Sequence, residues 1–342
     1  MSTVFLWILL GSQVLVQPDE DVSLLPFVAT DTVLRREGIT GQTQKLTGVI
    51  EDLTGDLVQL RRSGGGRVER IRLRDVISLQ FLKSADYENG LRQLARGQWT
   101  AALSSFEKAA AAEPRPWVVR EIRASESRAL LALGRRADVL ARIEQLAGED
   151  PETRHVALLP LVWDERLPVT QRFAAKPADL RSASQLRQLT AASALLQEAA
   201  HEAGAAATLH QLRTSGRPRV RDLAEIQLWR IRLLHPATLR TADVRLWQRR
   251  MLDLDSELRG GAELLLGRAL LSQHDYDGAA LSLLWMPLMN PADHATAASS
   301  LRDAVTALQQ AGQHTAAKHL EAECRQRFPN QSAAGSADDS RE

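Results

Sequence analysis

Residues 97–114, GQWTAALSSFEKAAAAEP, decide how this chain is read. They hold no histidine, no cysteine and no cluster of acids and bases, so they bring no chemistry of their own. What they bring is spacing. Steps of 7, 9, 12, 16, 19 and 24 residues from Gly90 reach Gly97, Trp99, Ala102, Phe106, Ala109 and Pro114. The same steps from Gly267 reach His274, Tyr276, Ala279, Leu283, Met286 and Pro291. From Ser127 they reach Gly134, Arg136, Val139, Ile143, Leu146 and Pro151. Small, aromatic, small, large apolar, proline: the order persists while most letters change. Gly312, Ala316, Leu320 and Pro329 keep the order with altered spacing.

Gly90 and Ala102 are small where two antiparallel helices must approach, and Phe106 and Leu283 are large where the second helix fills the gap to its neighbour. Pro114, Pro151 and Pro291 end the second helix, because proline lacks the amide donor and clashes with the preceding turn. This arrangement resembles the tetratricopeptide repeat, a helix–turn–helix of about 34 residues. The resemblance implies stacked helix pairs that bury a continuous core and curve around a concave, partner-binding groove. Aligned on the family, first-helix residues line that groove: Tyr87, Leu91 and Leu94, then Ala124, Arg128 and Leu131, then Leu264, Arg268 and Leu271. The lysine and asparagine set with which some members clamp an acidic chain terminus is missing. An extended or helical apolar peptide is therefore the expected ligand.

Ahead of the repeats the period changes. DTVLRRE, KLTGVIEDL, LVQLRR, RVERIRL and VISLQF read as five strands over residues 31–81, with turns at Thr54-Gly55-Asp56 and Gly64-Gly65-Gly66. Ile71 and Leu73 alternate with Arg70, Arg72 and Arg74, and Val68, out of phase with them, is expected to mark a bulge. Five short twisted strands close most readily into a small barrel, and this layout resembles the Sm-like and SH3-like barrels. Arg61, Arg62, Arg67, Arg70, Arg72 and Arg74 against Glu69 make RNA phosphates an alternative ligand. Phe81 is the one aromatic nearby, which leaves no stacking platform.

The expected fold is mainly α, a helical-hairpin solenoid behind a small five-stranded β-barrel, α+β overall. Residues 30–82 hold the barrel, 83–153 two repeat units, 154–177 an extended segment wedged across the stack, 178–259 degenerate helical repeats and 260–329 the C-terminal units. Trp229 and Trp247 fall on amphipathic helices, where packing explains them better than a ligand stack. Residues 330–342 form a polar tail, and the apolar run over residues 4–16 has the length of a signal-peptide core, which favours residues 1–17 as an export signal. Export points to a bacterial periplasm or cell envelope; without it, the cytoplasm.

Forty-three basic against 42 acidic residues leave a net charge of +1, too little to draw nucleic acid or an anionic membrane to the whole molecule. Cys324 is alone, which rules out an internal disulfide. His201-Glu202 begins like a zinc helix, but Ala205 stands where the second histidine belongs. His314 and His319 lie five apart on a helix, poorly placed for one metal. No catalytic residue, cofactor or metal is assigned. The expectation is a non-catalytic scaffold for a protein or peptide partner, with an accessory subunit of an envelope enzyme as a further alternative.

Overall fold

The computed structural model describes residues 30–37 and 41–329; the expected export signal (residues 1–17) and the expected polar tail (residues 330–342) lie outside the described residues. Strands β1 (Asp31–Glu37), β2 (Gln42–Leu53), β3 (Leu57–Arg62), β4 (Val68–Arg72) and β5 (Val76–Gln80) form one antiparallel sheet in the order β4-β3-β2-β1-β5. Every strand falls where the alternating pattern put it. The bulges do not: they interrupt β1 against β5 at Leu34/Arg35 and β2 against β3 at Ile50/Asp52. Val68 pairs regularly with Arg61, because residues of both faces are needed along β4 and an out-of-phase valine simply takes the other face.

The sheet curls strongly. Strands β1 and β4 are separated by two others, about 14 Å in a flat sheet, yet Arg35 and Glu69 meet in an ion pair of 2.7 Å. No ladder joins β4 to β5 among the described residues, so the pairing stops short of the expected barrel closure.

Helices follow: α1 (Ala85–Ala95), α2 (Trp99–Ala112), α3 (Pro116–Ala132), α4 (Arg136–Glu149), α5 (Gln185–Leu195), α6 (Glu202–Leu212), α7 (Pro218–Leu234), α8 (Thr241–Asp253), α9 (Arg259–Ser272), α10 (Tyr276–Leu283), α11 (Trp285–Met289), α12 (His294–Gln310) and α13 (His314–Arg327). Their arrangement is repeat-like, and the turns show it best. Gly97, Gly134, His274 and Gly312 all have φ between 63° and 74°. At each, two hydrogen bonds close the helix end in the same way, as in Gly97 N–H to Leu94 O and Gln98 N–H to Gln93 O. Leu131 and Leu130, Leu271 and Leu270, and Gln309 and Leu308 accept the equivalent pairs. These are Schellman turns, which need a left-handed residue. Three copies use glycine; the third in chain order uses His274, whose Nδ1 lies 2.8 Å from the Tyr276 hydroxyl.

Within pairs the small residues sit where a side chain would collide. A Cβ at Gly90 would lie 2.5 Å from Phe106 Cε1, and one at Gly267 would lie 2.6 Å from Leu283 Cγ. The first pair is capped by the sheet. Val33, Leu46, Ile50, Val58 and Ile71 share one core with Tyr87, Phe106 and Trp117. Trp117 Nε1 donates to Ile50 O at 3.0 Å, Arg120 reaches Leu53 O at 2.9 Å, and Asp150 accepts from the Gly55 amide at 2.8 Å. The array also returns on itself: the Trp99 and His294 rings meet edge to face at 4.8 Å, which brings α2 to the start of α12.

Two substitutions separate these effects. Replacing His274 with glycine removes left-handed strain and is expected to raise stability by about 1 kcal/mol. Gly90→Val drives a side chain into Phe106 and is expected to lower stability by about 1–3 kcal/mol. Denaturant unfolding measures both, and opposite signs are required.

Candidate functional site

The face that the repeat alignment reserves for a partner is filled by the chain itself. After α4, residues 154–168 run as turns and extended backbone, and Val156, Leu158, Leu159, Leu161, Val162, Trp163 and Leu167 are all buried. Gly261 on α9 lies against the Trp163 indole, so the segment presses on the helix that carries Leu264 and Arg268. Leu264 and Ala124 are buried in the same core, and Leu131 and Leu271 pack against it. Arg128 and Leu131 border a cavity of about 190 Å³ with Leu158 and Trp163. Tyr87 is buried, edge-on to Phe106 at 6.0 Å, while Leu91 and Leu94 are half-buried against the core shared with the sheet. Of the nine residues, Tyr87, Ala124 and Leu264 are buried, Leu91, Leu94, Leu131, Arg268 and Leu271 are half-buried, and Arg128 alone of the nine is exposed, at the edge of that cavity.

Charges lock the segment in place. Asp164 is 0 % exposed, yet its carboxylate takes Arg268 Nη2 at 2.7 Å and Arg166 Nε at 3.1 Å, and Ser299 donates to it as well. Asp303 on α12 accepts from Arg166 at 2.7 Å and 2.8 Å and from Arg268 at 2.9 Å. Burial alone would push the Asp164 carboxyl up; the two guanidiniums outweigh it and hold the group well below the usual carboxylate range. One residue on, Glu165 meets the fully buried Arg230 at 2.5 Å, and Arg230 also donates to Ser193 O and Gln227 Oε1. At the start of the segment Glu121 joins Arg154 at 2.9 Å and His155 at 3.0 Å. Burial opposes ionisation there too, and His155 and Arg154 overcome it, keeping Glu121 strongly acidic.

Sequence reasoning found Arg268 and passed over Asp164, Arg166, Glu165, Asp303 and Arg230. The signal was present: three consecutive charges, Asp164-Glu165-Arg166, follow directly on the apolar run LLPLVW. Charged residues within an apolar stretch are buried only when paired.

What stays open lies elsewhere. A cleft of about 1280 Å³ opens between one side of the sheet and the residues around the end of α8. Arg72, Ile77, Leu79 and Phe81 border it on the sheet side, and Arg154, Arg219 and residues 252–257 on the helix side. Arg219 spans the two walls, bonded to Gly55 O at 3.0 Å and to Asp255 at 2.9 Å. Ile77 and Leu252 are 49 % and 78 % exposed, so apolar surface faces solvent on both sides.

The remaining candidates are accounted for by packing and pairing. Trp229 and Trp247 stack at 4.8 Å, both buried. Cys324 is buried, its Sγ 3.8 Å from Ala298 O, and burial pushes its thiol up. His314 and His319 are exposed on α13. No group of three or more metal-ligating side chains occurs among the described residues. Of the sheet arginines, Arg61 pairs with Glu51 and Arg62 with Glu69. Compared with known proteins, the chain matches no family model, and no curated protein is significantly similar to it.

The clamp predicts an acid response. Asp164 and Glu121 ionise more readily folded than unfolded, so their stabilisation is complete above the ordinary carboxylate value of about 4. It drains as pH falls below that value. Asp164→Ala removes one of the two carboxylates that hold Arg268, leaving Asp303, and is expected to cost about 1–3 kcal/mol at neutral pH. Unfolding curves at neutral pH and at acid pH test this: the gap between wild type and variant should narrow in acid.

Proposed function

We propose that the protein is a non-catalytic scaffold of the tetratricopeptide-repeat class that binds a protein or peptide partner in the cleft between its sheet and its helices. The observation that carries this reading is the cleft itself, an open space larger than the roughly 300–1,000 Å³ of small-molecule sites, bordered by the exposed Ile77 of the sheet and Leu252 of α8. Four identical helix-closing turns support the class assignment, because they repeat the backbone geometry at the positions where the sequence repeats. The interior face is unavailable while residues 154–168 occupy it, which moves the binding surface from the family's usual groove to the sheet side. The apolar leader supports work in a cell envelope.

A photo-crosslinking residue placed at Leu252 should trap a partner in the native cell, and one at Leu281, exposed on α10 away from the cleft, should not. Equal trapping at both positions, or none at Leu252, would count against the cleft.

A further inference from the structure

Strand β5 borders the cleft along Val76, Ile77, Ser78 and Leu79. It pairs with β1 on one side, and on the other it has no strand neighbour among the described residues. An edge strand offers a row of backbone donors and acceptors to any extended chain, and proteins usually blunt such edges with charge, proline or a covering element. The opposite edge, β4, is blunted: Glu69, Arg70 and Arg72 stand in its VERIR sequence. The sequence of β5, VISLQ, has no charge and no proline and is rich in strand-forming residues. No strand covers it on the cleft side among the described residues.

We propose that β5 is the docking edge for an extended peptide of a partner protein, which adds to the sheet as a sixth strand inside the cleft. This rests on the reading of the cleft as the partner site. Main-chain bonds would supply affinity, and alternate side chains would supply specificity. The exposed Leu252 on the other wall favours an apolar side chain on the cleft side of such a strand. At the end of β4, Arg72 makes no ion pair among the described residues, and in the turn that leads into β5 Arg74 is 4.0 Å from its own neighbour Asp75. Both border the cleft, while Asp253, Asp255 and Glu257 line its other wall, so a carboxylate on the partner fits at the Arg72–Arg74 end of β5. Apolar at every second position and acidic at one end: that is the peptide the edge fits.

Two synthetic octapeptide pools test this with the full chain. One has a fixed Asp-Glu followed by alternating aliphatic and Ser/Thr residues; the other is identical except for N-methylation of alternate amides, which keeps the side chains and blocks pairing. The first pool should bind at least about tenfold more tightly than the second, as expected when a few hydrogen bonds are lost, and should slow amide exchange at residues 76–80. Ile77→Lys, at a half-exposed position, should weaken binding by a similar factor. Equal binding of the pools, no binding, or slowed exchange elsewhere overturns the proposal. So does protection of β5 in the free chain, which would mean that its own terminus covers the edge when independent of concentration, or a second copy when concentration-dependent. Loss of the β5 signature with crosslinking at Leu252 intact would sink the strand pairing alone and leave the cleft as the partner site.

Discussion

The helical part of this molecule depends on one buried carboxylate. Asp164 sits at the centre of the array with no exposed surface, held by Arg166 and Arg268 and linked through them to Asp303. Taking an unpaired charge out of water costs several kcal/mol, so this aspartate can be buried only where both guanidiniums meet it. That requirement fixes the extended segment against α9 and α12 at once. Trp163 and the neighbouring leucines then fill the space that curvature of the helix pairs would leave empty.

Filling the interior changes what the array can do. An open solenoid offers its concave face; here residues 154–168 pack against α9, and the first and last helix pairs meet through Trp99 and His294. The curled sheet covers the end of the first pair on one side and stands off from the end of α8 and the turn after it on the other. Arg219 bridges this gap at one point, and the remainder stays open to solvent.

Much of this could be read from the chain. The strands could be placed because alternation along residues 31–80 leaves one apolar face whichever strands are neighbours. The repeat could be placed because a small residue opposite Phe106 or Leu283 and a left-handed turn after the first helix are local demands, and glycine or proline marks each. His274 shows the limit of such marks, as the turn forms there without glycine. The groove residues could not be placed, because Tyr87, Ala124 and Leu264 look the same in sequence whether they face a partner or the chain's own returning segment.

Sequence by itself therefore determined the elements, their order and the helix-pair period, all of which follow from contacts a few to some twenty residues apart. Tertiary structure alone decided which faces stay open. Asp164 meets Arg268 across 104 positions and Arg219 meets Gly55 across 164. Such pairings are set by how the whole array closes, and no local pattern encodes them.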